Sequence, residues 1–340
     1  MGEVELAASD LMSAVNDFSS LLSSGSSILD IFGLGSSNSL SQADLAALQS
    51  MFDGLLAEVK QLFLDDLTDA AIATASGVAQ SAHDFLKVDY ANAQRAGESK
   101  AELWTLLTAD SSAFHLPDLV AQASAMDIWA TANPNRAQEA TSLALMIYNL
   151  ITAIRRERAA NAPDAQTVQA EKNDITSYAN LAVARVGKVV QNYQQQRLSA
   201  IGSPVRSQGS TIEPVGLRGG RTLYWWKYTV QDNWPASQPV GIVLTAEQDG
   251  STDNHADPQL LSQVTAARSY YYNLCQGGTA AQMKTWSQAL TSAVSTGYLG
   301  QNSANAKVIA NQLPTLKAEG TWAANAASTL ANLSKVASAQ

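Results

Sequence analysis

The sequence predicts a mainly α-helical protein: a multi-helix bundle with a central apolar helix, a small β-hairpin segment and further helices at the C-terminal end. Apolar residues recur at three- and four-residue spacing over most of the chain, which is the period of a helix. A run of fifteen residues without formal charge, Ala140 to Ile154, is apolar on nearly every face. Strand-like alternation is clear over Thr222 to Val230.

The uncharged run Ala140 to Ile154 is the most informative feature. Helical geometry gives it a length of about 22 Å, which is short of the ~30 Å hydrocarbon core of a bilayer. It is therefore either the central helix of a soluble bundle or a helix that inserts only after a conformational change. Its large apolar residues are Leu143, Leu145, Met146, Ile147, Leu150, Ile151 and Ile154.

The N-terminal third predicts three helices. Residues 3–23 form a first amphipathic helix, and residues 24–41 are a Ser/Gly-rich stretch around a short apolar island. Ser41 and Asp44 resemble a capping box that starts the second helix. A third helix is expected over residues 66–95. The apolar seam of the second helix consists of Leu45, Leu48, Phe52, Leu55, Val59 and Leu62.

The middle of the chain predicts four more helices. A short one covers residues 102–108, and Pro117 opens the next at a favourable first-turn position. Asn133 and Pro134 end that helix and precede the one that contains the uncharged run. A long helix then covers residues 167–200. Its expected inward residues are Ile175, Tyr178, Leu181, Val186, Val189 and Tyr193.

The pattern changes at Gly202, where Pro, Gly and β-formers replace the helical period. Strand 222–230 and residues 211–217 predict a hairpin across Gly219 and Gly220, and residues 240–246 predict another strand. Helical patterns return from Pro258, with breaks expected at Gly277-Gly278, Gly300 and Gly320. We therefore divide the chain into a helical bundle (1–202), a small β segment (203–256) and C-terminal helices that pack on the bundle (257–340).

Composition limits the function classes. The chain is 46% hydrophobic and only 15% charged, with a formal net charge of −9. This acidic balance does not fit a general nucleic-acid binder, because phosphate contact needs clustered Lys and Arg. The basic cluster Arg155-Arg156-Glu157-Arg158 is interpreted as a helix C-terminus that complements the helix dipole. The single Cys275 forms no intrachain disulfide, and the acidic N-terminal sequence does not resemble a signal peptide. We expect a protein made in the cytoplasm of its producer, without a leader.

Motifs for catalysis are absent, so the sequence predicts no enzyme, no catalytic residue, no cofactor and no metal site. A nucleophile elbow, a phosphate loop, a dinucleotide fingerprint and a zinc-protease motif are all missing. His83, His115 and His255 are scattered, and each is interpreted as a surface or capping histidine. Glu247, Asp249, Asp253 and Asp257 do not match a calcium loop and are interpreted as a solvated acidic loop.

An aromatic group in the predicted hairpin is the second notable feature. Thr222, Tyr224, Trp226, Tyr228 and Val230 share one strand face, which we expect to pack on the helices. The other face presents Trp225 and Lys227, and Trp234 follows the strand. An exposed Trp suits binding to a sugar, a receptor or a lipid headgroup. Trp225, Lys227 and Trp234 are therefore the candidate receptor- or membrane-binding residues.

The helical part, about residues 26–201, resembles a known family. Leu48 to Leu67 resembles the early amphipathic helix of the N-terminal bundle of three-domain Cry insecticidal δ-endotoxins. The segment Phe114-His115-Leu116-Pro117-Asp118-Leu119-Val120-Ala121-Gln122-Ala123-Ser124-Ala125 resembles that bundle's helix leading into the core, and Tyr178 to Arg197 its late Tyr-containing helix. These motifs are degenerate. The family's two large β domains do not fit after Ala200, and the chain is more similar to single-module helical insecticidal proteins, including some from ferns.

The resemblance implies a pore-forming toxin. In such proteins a soluble bundle binds an unknown receptor on the target membrane, expected here in the insect gut, then oligomerises and inserts a helical hairpin. By resemblance, the inserting elements are the helices around residues 117–132 and 136–154, including the seven large apolar residues of the uncharged run. The alternative is a helical interaction protein that never inserts and binds a receptor or glycan through its aromatic hairpin.

Overall fold

The structure is a computed structural model that describes residues 2–24, 70–109, 115–215, 219–234, 241–252 and 255–339. It is mainly helical, with one three-stranded antiparallel sheet in the described residues. The predicted fold class is therefore confirmed. The predicted helix with the Leu45–Leu62 seam, the Ser/Gly-rich stretch before it and the Leu48–Leu67 resemblance lie outside the described residues.

The elements follow in chain order. The helices before the sheet are α1 (Gly2–Ser23), α2 (Ala70–Asp84), a π-helical segment (Phe85–Tyr90), α3 (Ala91–Arg95), α4 (Lys100–Thr108), α5 (Leu116–Ala132), a 3-10 turn (Pro134–Arg136), α6 (Ala137–Asn161) and α7 (Ala165–Ser199). The strands are β1 (Val205–Val215), β2 (Gly219–Asp232) and β3 (Gly241–Ser251). The last helices are α8 (Pro258–Gln276), α9 (Ala280–Ala293), α10 (Gly297–Gln301) and α11 (Ser303–Ser338).

The chain forms two compact units. The first contains residues 3–193 and 325–340, and the second contains residues 194–324. Helices α7 and α11 each contribute residues to both units. The sequence-based segments 1–202, 203–256 and 257–340 stay a prediction.

Local sequence signals set the helix ends in the first unit. Ser99 and Glu102 form a reciprocal capping box at the start of α4. Pro117 lies in the first turn of α5, as predicted, where its missing N–H costs no helical hydrogen bond. Asn133 and Pro134 end α5, and the 3-10 turn leads directly into α6. The predicted order of helices from residue 100 to residue 199 is confirmed.

Helix α6 is the central helix of the first unit. Every residue from Ala137 to Ile154 is buried. Helices α2, α4 and α5 pack on it. Helix α1 also reaches it, since Ser142 Oγ lies 3.6 Å from Met12 Sδ, and α7 reaches it through the Arg155–Glu171 ion pair. Neighbouring helices therefore surround α6. This explains why residues 140–154 carry no charged side chain, since a charge there would be buried.

The second unit is built around the sheet, in the order β1-β2-β3. In β2, Trp226, Tyr228 and Val230 are buried while Trp225, Lys227 and Thr229 are partly exposed, so the predicted alternation is confirmed from Trp225 to Val230. Thr222, predicted on the buried face, is exposed, and Tyr224 is partly buried. The buried face joins a core with side chains of α8 to α11. Residues 216–218, in the predicted turn, lie outside the described residues, and Gly219 and Gly220 already belong to β2.

Two sequence predictions are wrong. Gly320 does not break a helix: α11 continues through it. A Cβ at Gly320 would lie 2.1 Å from the Leu274 carbonyl oxygen, so the glycine permits close contact between α11 and α8. His83 is neither a surface nor a capping residue but is fully buried in α2, because it lies on the same inward face as Ala79 and Ile72.

Candidate functional site

The candidate site is the helix pair α5–α6, the hairpin that the resemblance assigns to insertion. The pair is joined by the 3-10 turn, and its two helices pack along each other. The seven residues assigned to membrane insertion lie on α6, and none of them is exposed to solvent: Leu143, Leu145, Met146, Ile147, Leu150, Ile151 and Ile154. In the folded bundle these side chains are core residues.

Helix α6 also buries polar atoms. Ser142, Asn149 and Thr152 each donate a side-chain hydrogen bond to the carbonyl oxygen four residues earlier, at 2.8–2.9 Å. Within the part of the chain that the structure describes, Thr141 Oγ1 and Asn149 Oδ1 are buried and have no hydrogen-bond partner. An unpaired buried polar atom lowers the free energy of unfolding by about 1–3 kcal/mol. These two oxygens therefore destabilise the folded bundle, whereas an apolar side chain of similar size would not.

Helix α5 differs from α6 in having one face towards solvent. Ile128 is 72% exposed and Trp129 is partly exposed. Asp127 is the only ionisable side chain between Asp118 and Arg136. The outer face of α5 is therefore uncharged over most of its length, although it borders water.

Asp127 faces the other helix of the pair. Its side chain is buried, and Tyr148 Oη on α6 donates to its Oδ2 at 3.3 Å. The other oxygen, Oδ1, has no partner within the described ranges. Burial raises the pKa of Asp127 to about 6, against the opposing effects of the Tyr148 hydrogen bond and the positive charge of Arg185. The carboxyl is thus held where its ionised form is poorly stabilised.

A second buried carboxyl lies at the start of α6. Glu139 is buried, and its Oε1 is 3.9 Å from Arg136 Nε in the connecting turn. Burial raises the pKa of Glu139, while Arg136 acts in the opposite direction. The charged residues of the α5–α6 pair are therefore confined to the turn, to both outer ends, and to Asp127.

The arginines after Ile154 do more than complement the dipole of their own helix. Arg156 donates to the carbonyl oxygen of Leu22 in the last turn of α1. Arg158 donates through Nε and Nη2 to the carbonyl oxygen of Leu107 in the last turn of α4, at 3.1 and 2.6 Å. These carbonyls lack intrahelical partners, so α6 caps two neighbouring helices. Sequence reasoning missed this role, because the bonds join residues 51 and 134 positions apart.

The aromatic hairpin forms the second candidate site. The Trp225 ring lies against Gly209 on the paired strand, since a Cβ at Gly209 would come within 2.5 Å of ring atoms. Lys227 Nζ lies 3.9 Å from Glu247 Oε2 across the strands. Trp234 lies apart from this face, with its ring 6.0 Å from the Arg197 guanidinium. The structure therefore brings Trp225 and Lys227 together on one face of β2 and places Trp234 on a different feature.

That feature is an ionic cluster buried in the second unit. Arg197 Nη1 and Nη2 each donate to one oxygen of Asp232 at 2.9 Å, and Arg197 Nε donates to Glu319 Oε2 at 2.9 Å. Tyr271 Oη donates to Asp232 Oδ2 at 2.6 Å, and the Cys275 thiol hydrogen-bonds to Glu319. Burial raises the pKa values of Glu319, Tyr271 and Cys275. The Arg197 guanidinium is thus hydrogen-bonded to two buried carboxyl groups.

The described acidic residues before α8 have separate interaction partners. Glu247 faces Lys227, and Asp257 Oδ1 accepts from the Gln259 backbone N–H at the start of α8. Asp253 lies outside the described residues. Over the residues that the structure describes, no group of His, Cys, Asp and Glu has the arrangement of a metal site.

None of the helices in the described ranges combines the length and the apolar character needed to cross a membrane. Comparison of the chain with protein-family models, with curated proteins and with solved structures finds no match.

Proposed function

We propose that this protein is a helical pore-forming toxin that binds a target-cell membrane, assembles into an oligomer and inserts the α5–α6 pair. The sequence resembles insecticidal helical bundles, and this resemblance is the reason for proposing a pore-forming toxin and insect gut cells as its target. The observation that carries the proposal is the α5–α6 pair itself: α6 is buried and uncharged on every side from Ala140 to Ile154, and the outer face of α5 is uncharged over residues 119–132.

A helix that simply forms the centre of a bundle would also be buried. The unpaired polar atoms of α6 are what distinguish an inserting helix from such a central helix. Thr141 and Asn149 place oxygen atoms in the core without partners. In a membrane-inserted oligomer these residues would line water, where the oxygens find partners. A helix pair also satisfies the demand of lipid that backbone hydrogen bonds stay internal. Because the uncharged run of α6 spans only about 22 Å, insertion requires local bilayer thinning or flanking residues that extend to the interface.

Helix α1 must leave α6 before α6 leaves the bundle. Met12 of α1 contacts Ser142 near one end of α6, and Arg156 near the other end binds the Leu22 carbonyl of α1. Helix α1 is in turn held by the C-terminal half of α11, where Asn325 Nδ2 donates to Ser13 Oγ at 2.8 Å. A covalent link between α1 and α11 should therefore block insertion.

The test is a pair of cysteines, Ser13→Cys with Asn325→Cys, joined by oxidation or by a short dithiol-specific cross-linker. The reduced form should release a pH-insensitive dye from lipid vesicles or gut-membrane vesicles, and the cross-linked form should release little. The matched control is Thr176→Cys with Ala337→Cys, which links α7 to α11 where Thr176 Oγ1 lies 3.4 Å from the Ala337 carbonyl oxygen. That link leaves α1 free and should not change release. Equal release by the cross-linked and reduced Ser13/Asn325 forms contradicts the mechanism, and no release by the wild type contradicts the function.

A second candidate is binding without insertion, through the hairpin β1–β2. The observation that favours it is the exposure of β1 on both faces: Ile212 is 77% exposed and Val205 is 59% exposed. The opposite edge of the sheet is occupied, because the Asn305 side chain accepts from Thr245 N and donates to Thr245 O. On this hypothesis Trp225→Ala lowers binding to gut-membrane vesicles or glycans, and no dye is released by the wild type.

A further inference from the structure

The charge distribution in the α5–α6 pair implies a control on its release, an inference that rests on the proposed function. Asp127 is the only acidic or basic residue in the helical run 119–132 of α5, and α6 has no acidic or basic residue from 140 to 154. An ionised carboxylate in the hydrocarbon core costs several kcal/mol, whereas a protonated one is far less costly. Asp127 is therefore the one side chain of the helical runs whose charge opposes entry into lipid.

The folded bundle leaves Asp127 ready to accept a proton. The residue is only 7% exposed, and one carboxylate oxygen has no partner among the described residues. On α6 it faces the neutral hydroxyl of Tyr148. The one charge that acts on it is Arg185 of α7, which also binds Ser124 at 3.2 Å. Helix α2, which packs on α5 as well, carries His83 and Asp84 as its titratable groups, and the connecting turn carries Arg136.

We propose that Asp127 is a proton switch, and that the α5–α6 pair leaves the bundle with this carboxyl protonated. The proton comes from solvent and binds a carboxylate oxygen of Asp127, so the inserting pair carries no charge between its outer ends and its turn. Acid thus promotes insertion without unfolding the bundle, because protonation also removes the cost of a buried carboxylate in the folded state.

The proposal fixes the form of the pH dependence. Burial raises the pKa of Asp127 to about 6 in the folded protein. If only the protonated form inserts, the release rate follows the protonated fraction. It should be nearly constant below about pH 5 and should fall about tenfold per pH unit well above pH 6.

The experiment measures dye release from phosphatidylcholine vesicles over this pH range, because a neutral lipid removes the effect of the protein's net charge on binding. Asp127→Asn should release dye at a rate that does not depend on pH above pH 6. The matched control is Asp118→Asn on the same helix, where the side chain is 62% exposed. It changes the net charge identically and should keep the wild-type profile.

Tyr148→Phe distinguishes a proton switch from a merely structural role. The Tyr148 hydrogen bond lowers the pKa of Asp127, so its removal should move the release midpoint to higher pH. Release by the wild type that is independent of pH, or a wild-type profile retained in Asp127→Asn, overturns the switch and leaves the pore-forming function standing. Absence of release by the wild type at every pH overturns both. A circular-dichroism spectrum of each variant establishes that it is folded.

Discussion

The buried ionic cluster of the second unit gives the sharpest stability prediction, because its charges do not balance. Arg197 neutralises one carboxylate, yet its guanidinium contacts two, Asp232 and Glu319, and all three side chains are at most 8% exposed. With both carboxyls ionised, the cluster holds a net charge of −1 in a place that water hardly reaches. Removing the cation and removing one anion should therefore have very different consequences.

The magnitudes follow from the contacts. Arg197→Met removes the three nitrogen donors that bind the carboxyls and leaves two buried carboxylates unpaired. Breaking a buried ion pair costs about 3–5 kcal/mol, and the loss of a shared cation should reach the upper end of that range. Glu319→Gln keeps an oxygen that accepts from Arg197 Nε and brings the formal charge to zero. We expect it to change the free energy of unfolding by about 1 kcal/mol or less, in either direction.

Urea unfolding followed by tryptophan fluorescence measures both effects. With a slope of about 2 kcal/mol per molar urea, Arg197→Met should lower the midpoint by roughly 2.5 M, and Glu319→Gln should move it by no more than about 0.5 M. Since the chain has two units, the transition assigned to residues 194–324 is the relevant one.

The pH dependence provides an internal check. Burial raises the pKa of Glu319 above its ordinary value of 4.5, so the folded protein keeps this proton at pH values where the unfolded chain has lost it. The wild type should therefore gain stability as the pH falls from the raised folded pKa towards 4.5, and above the folded pKa the ionised carboxyl is a constant cost. Glu319→Gln should lack this gain. A midpoint loss for Glu319→Gln as large as that for Arg197→Met would refute the reasoning, because it would mean that both carboxylates are needed in their charged form.

Two further predictions concern the contact between α8 and α11. Gly320→Ala places a methyl group 2.1 Å from the Leu274 carbonyl oxygen and should lower the free energy of unfolding by about 3 kcal/mol, measured by urea unfolding. The control Gly187→Ala, where the nearest atom is 3.8 Å away, should raise it by about 0.5–1 kcal/mol, and equal effects of the two variants would contradict the close contact. Cys275 should react with a thiol reagent at pH 8 only on unfolding, because burial raises the pKa of its thiol; rapid reaction in the folded protein would contradict this.

The fold was largely predictable from the sequence, because its signals are local. The spacing of apolar residues, Pro117 at a helix start and the alternation in β2 depend only on neighbours along the chain, and the structure confirms each of them. Gly320 was misjudged for the opposite reason. The sequence does not show whether a glycine ends a helix or lies within one where another backbone packs closely. At Gly320 the nearby Leu274 carbonyl oxygen shows that the second case applies.

The candidate site was predictable in part. The uncharged run of α6 identified a central helix, and a single charge in the run after Asp118 was visible in the sequence as well. What the sequence did not contain was the environment of that charge: Tyr148, twenty-one residues away, donates to Asp127, and burial raises the pKa of its carboxyl. The capping of Leu22 and Leu107 by arginines of α6 is hidden for the same reason.

The sequence by itself determined which segments are helices, which strand face is buried and that residues 140–154 avoid charge, because helix period, strand alternation and hydrophobicity are properties of short stretches. Only the tertiary structure decided which buried polar groups are paired, where one arginine serves two carboxyls and why Gly320 lies inside a helix. Those outcomes depend on distances between residues far apart in the chain, and burial then determines how strongly each charge or unpaired oxygen affects stability.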